Sequence, residues 1–502
     1  MEENLNPIPE SVPEHPFLAR GREFAFCGIL LLLSILMCNF VLYGGFHLAF
    51  GLTAAMMIGI SWLYLKISGR RFGWYEKMLL ILSLIICGGF GRSDDGFLKF
   101  VMLLFLFTAV NLALCLGAGQ NRRSPDGAMS LLDAPRAFYR MGMGSLGKSF
   151  SGLSAGFRQG GAATRHISSV GTGLLISLPI LAVMIFLLMS ADAAFEGLMD
   201  LLPDFDLEEY LYSGFYGLIL GSILYTRGVS LVKADKPAAA QQGKKGINAL
   251  TVNTVLLMVC LVYGVYLLSQ LAYFSGGLSG ILPEEYTLSE YARRGFFEMS
   301  ALCTLNLGIL CFTIRLIRQE ALPRMTKIAG TFLAVITIFL VVTASAKMFL
   351  YIGSYGLTWS RVTTEVAMLW LAVTTVLITV RLFLPKFGYM KAVVLAAMVL
   401  GTLVFWVDVN TLVASYNVRA YQSGKLETVD VSHIGSLGSA GIPWLLELAD
   451  DQDPKVSEMA QDILARRSEY SYIYYDIEDF RGWNYIRSQA EQRMDTYQET
   501  AK

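Results

Sequence analysis

Eleven runs of apolar residues, most of them long enough to cross a hydrocarbon layer as a single helix, limit what this chain can fold into more than any other feature. A bilayer core of about 30 Å takes roughly 20 residues at a helical rise of about 1.5 Å per residue. The runs are Phe24–Tyr43, Phe46–Leu65, Met78–Phe90, Phe97–Leu116, Gly173–Ser190, Leu211–Tyr225, Val252–Tyr273, Phe296–Thr313, Ile328–Phe349, Val362–Phe383 and Ala392–Val407. Inside lipid the backbone must pair its own polar groups within the segment, so each run reads as α-helix. The third run, at thirteen residues, is short for a span and reads as tilted, covered by protein or re-entrant. Charged residues make up only 16% of the chain, against about 25% in soluble domains. The expected fold class is therefore all-α, a polytopic transmembrane helix bundle of about eleven spans.

Lysine and arginine fix the orientation, because they collect on the cytoplasmic side of membrane proteins. Of 40 such residues, 25 fall in the segments before run 1 and after runs 2, 4, 6, 8 and 10. The intervening short loops and adjoining helix ends hold six, and the last nine lie in the tail. The segment Asp192–Glu209 shows the reverse bias, with seven acids and no base. This alternation predicts a cytoplasmic N-terminus and an extracytoplasmic C-terminus. The first run is expected to stay as an anchor, since five acids precede it and no small-x-small cleavage site follows. The expected organisation is a cytoplasmic segment 1–23, spans 1–4 over 24–118 and a cytoplasmic Gly/Ser/Arg loop over 119–172. Spans 5–11 then occupy 173–407, and a helical extracytoplasmic tail occupies 408–502. Within the loop, Leu131–Gln159 reads as a stretch lying along the membrane surface, where its arginines would meet anionic lipid.

The tail carries sixteen acids and nine bases. Helices are expected at Thr411–Gln422, Ile442–Leu448, Lys455–Arg467 and Glu478–Tyr497. The middle two resemble a single HEAT-type hairpin, which needs a neighbour to bury its apolar face. The aromatic string Tyr470–Phe480 reads as packing at the membrane interface or in the tail core, ahead of carbohydrate binding.

Several kinds of chemistry find no support. The seven cysteines all sit in apolar runs, with no CxxC pair, and read as small packing residues. The four histidines are scattered, so no metal or cofactor is expected. A formal net charge of zero gives a nucleic-acid partner no electrostatic footing. Gly142–Ser149 carries the letters of a phosphate-binding loop, but that chemistry needs a preceding strand. The residues Asp133–Arg140 do not read as one, so the match is taken as chance. Gly217 and Gly221 form a GxxxG pair, and Gly51, Ala55 and Gly59 repeat small residues at the same spacing. Both read as close helix packing within the chain.

One constellation stands out. Thr287-Leu-Ser-Glu290 has the capping-box spacing that starts a helix, and Glu290, Arg294 and Glu298 then share one helical face. Arg361 and Glu365 repeat the Arg-then-Glu step, and Lys347 lies near the same membrane face. Ionisable groups at membrane helices mark candidate sites. They also lock helices together as pairs, and both readings stand at this stage.

Several strings resemble one bacterial family of polytopic membrane proteins: Tyr291–Glu298, Lys347–Arg361, Asn410–Asn417 and Asp479–Asn484. That family is catalogued as a domain of unknown function, numbered 4153 or 4173. The resemblance covers roughly Leu174–Trp483 and implies a bacterial cell membrane, with no activity attached to it.

With no catalytic motif, the expected function is a non-enzymatic envelope sensor or scaffold. Its external tail would meet an envelope protein partner, and the bilayer itself surrounds the bundle. A transporter for a small charged solute is the alternative. A membrane enzyme acting on lipid or wall precursors comes third; it would want a His or Asp nucleophile or base poised at an interface, and only Asp192 and Asp408 sit near enough.

Overall fold

A computed structural model describes residues 18–19, 21–123, 130–159, 207–235, 248–277, 288–317, 322–474 and 480–500, with isolated positions between 177 and 188. The expected fifth span, Asp192 and most of the acidic segment after that span lie outside the described residues. Among the described residues there is no strand, and nine helices are long and apolar enough to cross a membrane. The spans are α1 (Gly21–Asn39, continued by a π-helical turn Phe40–Gly44), α2 (Leu48–Ile67), α4 (Gly96–Gly117) and α7 (Leu207–Lys233). They continue with α8 (Ala249–Gly277), α9 (Leu288–Leu316), α10 (Arg324–Tyr355), α11 (Trp359–Phe383) and α12 (Tyr389–Val407). Large apolar side chains stand outward along them, including Leu52, Leu261, Val335 and Val342, each more than half exposed. A surface so apolar is suited to lipid.

The short third run forms α3 (Trp74–Gly89), a helix of 16 residues. At about 1.5 Å per residue it reaches about 24 Å. Leu79, Leu82 and Ile86 are buried against the bundle, and Trp406 of α12 donates to the Ile85 carbonyl at 3.0 Å. Protein covers one face of this helix, while Ile81, Leu84 and Ile85 stay exposed on it.

The GxxxG pair faces inward, on α1. A Cβ at Gly217 would fall on the Ile35 backbone, and one at Gly221 would sit 3.0 Å from the Leu31 Cα. Gly51 likewise faces the Cys87 carbonyl of α3, whereas Gly59 has open space. Gly217→Val therefore has no room without separating α1 from α7. We expect it to cost on the order of 1–3 kcal/mol, as overpacked cores do, read as a lower unfolding midpoint of the full chain in detergent. An unchanged midpoint would show that α1 can slide aside.

Two shorter helical segments follow α4: α5 (Asp133–Ala137, continued as a π-helical turn Phe138–Met143) and α6 (Leu146–Gln159). Residues Gly142–Ser149 thus run from one helical segment into the next, with no strand before them.

The tail comprises α13 (Val409–Gln422), α14 (Val431–Ser436), α15 (Ile442–Ala449), α16 (Pro454–Tyr474) and α17 (Tyr485–Thr500). The α15–α16 hairpin closes over its turn, where Ser457 and Gln461 donate to the last carbonyl of α15 at 2.5 and 3.0 Å. Its apolar face is buried by the rest of the tail and by the bundle. Val413, Val418, Leu445, Leu448 and Leu464 share one core with Ile352 of α10 and Leu357 of the α10–α11 turn. Helix α14 had no apolar periodicity to announce it, and Asp430 starts it by accepting from the His433 amide at 2.8 Å. The last helix begins later than expected because Asn484 caps it, its Oδ1 accepting from the Ile486 and Arg487 amides at 3.1 and 3.3 Å.

Candidate functional site

Among the described residues, the polar groups that join tail to bundle lie at one end, where α1, α3, α8, α10 and α12 finish and α2, α4, α7, α9 and α11 start. Three latches build the joint. The first grips the α3–α4 turn. Tyr485 donates its amide to the Gly91 carbonyl at 2.8 Å, and Asn484 Nδ2 donates to the Ser93 carbonyl at 2.7 Å. Ser439 reaches Asp94 at 2.9 Å, and Asn410 reaches Asp95 at 3.1 Å. Asp95 is itself the N-cap of α4, accepting from the Leu98 amide at 2.6 Å.

The second latch holds the α10–α11 turn. Asn417 makes a two-way bond with Leu357, accepting from its amide at 2.6 Å and donating to its carbonyl at 2.8 Å. Gly356 permits this approach, since it adopts φ +75° and a Cβ there would meet Asn417 Oδ1 at 2.6 Å. Arg361 completes the turn by donating to the Tyr355 and Gly356 carbonyls, and its guanidinium lies 4.2 Å from the Tyr351 ring centre. Trp359 packs edge-on against Phe97 of α4, which ties the two latches together.

The third latch closes on α1 and α7. Arg481 pairs with Glu209 and donates to Asn39 Oδ1 at 3.2 Å, while Asn39 Nδ2 donates to Glu209 at 2.6 Å. A Cβ at Gly44 would come within 2.6 Å of the Arg481 backbone, so glycine lets the tail lie flush there.

Two groups sit beneath these latches, Asp408 buried and His47 half-buried. Asp408, 1% exposed and at φ 53°, accepts from the Thr411 amide and hydroxyl at 3.0 and 2.6 Å and from Ser93 at 3.3 Å. With its oxygens so engaged, it acts as the hinge-cap between α12 and α13. His47 lies with Nδ1 3.1 Å from Lys99 Nζ. If Lys99 is the donor, that imidazole must be neutral. Burial, then the Lys99 charge, hold its pKa down at about 4. Burial pushes Asp408 the other way, above the usual carboxylate range, against the pull of its hydrogen bonds.

The two shifts have opposite consequences. A histidine released from the joint would titrate near its ordinary 6.5, so docking weakens as pH falls from about 6.5 to 4. The raised Asp408 favours docking on the acid side. We expect tail cleavage by added protease to rise from pH 7 to pH 5, and His47→Gln to remove that rise. A wild-type profile already flat over this range would separate His47 from the joint.

The constellation expected from sequence is only partly visible. Glu290 and Arg294 have side chains outside the described residues. Arg361 belongs to the second latch. Glu365, a turn below it, keeps Oε1 buried without a hydrogen-bond partner and has Ser345 of α10 beside its carboxyl. Lys347 is half-buried on α10, and Glu298 is exposed on α9. The latch residues Asn417, Asn484 and Arg481 went unremarked as individuals, although the first two end strings that carry the family resemblance. Among the described residues no group of three or more His, Cys, Asp or Glu side chains is placed to hold a metal ion.

This is a multi-pass α-helical membrane protein with a helical domain seated on one end of its bundle. The family described as Domain of unknown function (DUF4153) matches residues 25–448, and the chain belongs to it. The match takes in the first four helices and stops before the string Asp479–Asn484. No curated protein and no solved structure matches the chain.

Proposed function

We propose that the protein is a non-enzymatic sensor or scaffold of the bacterial cell membrane, its tail on the outer face and its N-terminus in the cytoplasm. The observation that carries this reading is the triple latch. A tail that shares a core with α10 and is bonded to two turns and to the ends of α1 and α7 moves with the bundle, so a partner bound outside would bear on the spans. The sorting of lysine and arginine supports the orientation. In this reading Glu298, Lys347, Arg361 and Glu365 form the rim on which the tail rests, and the sequence spacing would add Glu290 and Arg294 to it.

The test is capture of envelope proteins by the tagged full chain, beside a variant lacking 409–502. A specific partner is expected with the full chain, lost with the truncation at equal membrane abundance. Glu298→Gln and Glu365→Gln should weaken capture if that rim contributes. Failure to capture any specific partner, with cells indifferent to tail loss, overturns the reading. So does a reporter fused after Lys502 that is active only in the cytosol.

A further inference from the structure

At the opposite end of the bundle the end of α4, α5, the start of α6 and the end of α7 surround a cavity of about 130 Å³. That is far more than one water needs. Four cations line it, Arg122, Arg136, Arg140 and Lys148, against two acids, Asp133 and Asp235. Asp133 is already committed. It accepts from the Arg122 and Arg123 amides at 3.1 and 2.9 Å and from the Arg123 guanidinium at 3.3 Å. Repulsion reaches Arg136 from Arg122, Arg140 and Arg123, and attraction from Asp133 alone. Among the described residues, Arg136, Arg140 and Lys148 pair with no carboxylate. Cations held around a concavity with so little counter-charge suit an anion.

Two buried atoms say more about which anion. Arg122 Nε is buried with no hydrogen-bond partner, a donor left for an oxygen. Gln120, 3% exposed, donates to the Ala234 carbonyl at 2.9 Å but leaves Oε1 buried and unpartnered. An acceptor so placed calls for a hydroxyl or ammonium donor, because an unmade buried hydrogen bond costs about 1–3 kcal/mol. Ser145, just before α6, and Lys148 in its first turn stand on the same wall. Leu131, two residues before Asp133, lines a separate apolar groove of about 530 Å³ with Leu104, Leu307, Trp370 and Met390. Charge for a phosphate and an apolar groove for a chain thus come within two residues of one another, at Asp133 and Leu131.

We propose that this cavity binds a phosphate ester carrying a hydroxyl, supplied in the first place by the headgroup of an anionic phospholipid such as phosphatidylglycerol. The arginines and Lys148 hold the phosphate oxygens, and Gln120 Oε1 accepts from the hydroxyl. The generic account is the loose attraction of any basic loop to anionic lipid. It predicts dependence on total charge and none on Gln120.

The experiment uses the full chain in neutral detergent, titrated with phosphatidylglycerol in mixed micelles and separately with soluble glycerol phosphate. Saturable binding of phosphatidylglycerol is expected, weakened at least about tenfold in Arg136→Gln/Arg140→Gln, the loss of a charge-assisted contact. Arg324→Gln/Lys386→Gln, which removes two exposed cations from the same end, should leave it unchanged. Gln120→Leu should erase a preference for phosphatidylglycerol over phosphatidic acid. Competition by glycerol phosphate would keep the phosphate-ester site and move its source to the soluble pool. Non-saturable binding, or equal weakening in both double variants, overturns the proposal, whatever becomes of the tail's role.

Discussion

Asn417→Leu combined with Asn484→Leu is expected to release the tail while leaving the spans in place. Each asparagine serves buried backbone in a bundle turn: Asn417 both polar groups of Leu357, Asn484 the Ser93 carbonyl. Leucine fills similar space but strands those groups, at about 1–3 kcal/mol for each left unmade. Asn484→Leu also strips the cap of α17, worth about 1 kcal/mol. Together the loss is at least about 4 kcal/mol, enough to raise local opening of the tail by at least two orders of magnitude. Hydrogen exchange should show that rise over α13–α17, with α2 and α4 still protected. Asn484→Ser gives a graded control, since its hydroxyl can still cap α17 while the amide donor to Ser93 is lost. Protection lost equally from tail and spans would mean the two unfold as one. Protection unchanged would mean the shared apolar core suffices without the latches.

Why the tail latches were hard to see in advance is a matter of distance along the chain. The spans were legible because hydrocarbon thickness imposes a length, and that length is written locally in each run. Nine of the eleven runs correspond to helices that satisfy it. The tail helices were legible through caps and periodicity, with errors where a cap such as Asn484 overruled composition. The joint is different. Asn484 meets Ser93 across 391 positions, and Ser439 meets Asp94 across 345. Nothing in either neighbourhood names its partner. Asn417 and Asn484 did carry one local mark, lying at the ends of strings that resemble a family. The charged constellation was selected by spacing on single helices, which places Arg361 and Glu365 on one face but says nothing of the Tyr355 and Gly356 carbonyls that Arg361 serves. The basic wall of the far cavity was visible as scattered arginines, whereas its concavity depends on α5 and α6 folding back under α7.

Removing Asn111 should harm the bundle more than removing the arginine it serves. Arg227 on α7 is 6% exposed, and it donates from Nη1 to Asn111 Oδ1 of α4 at 2.7 Å. Its Nε has no partner. A buried charge with one neutral acceptor is held at a deficit, and stranding it altogether costs roughly 3–5 kcal/mol. Asn111→Leu does that. Arg227→Met removes the charge itself, fills most of the volume and leaves Asn111 still donating to the Phe107 carbonyl at 2.7 Å, stranding only the neutral Asn111 Oδ1, so a smaller cost of about 1–3 kcal/mol is expected. The double variant should then recover most of what Asn111→Leu alone loses, a coupling visible in a mutant cycle on full-chain unfolding in detergent. The order of the two single variants decides the matter. Were Arg227→Met the more damaging, the guanidinium would be a net stabiliser of the α4–α7 contact. The positive charge buried one to two turns below the phosphate cavity would then be structural.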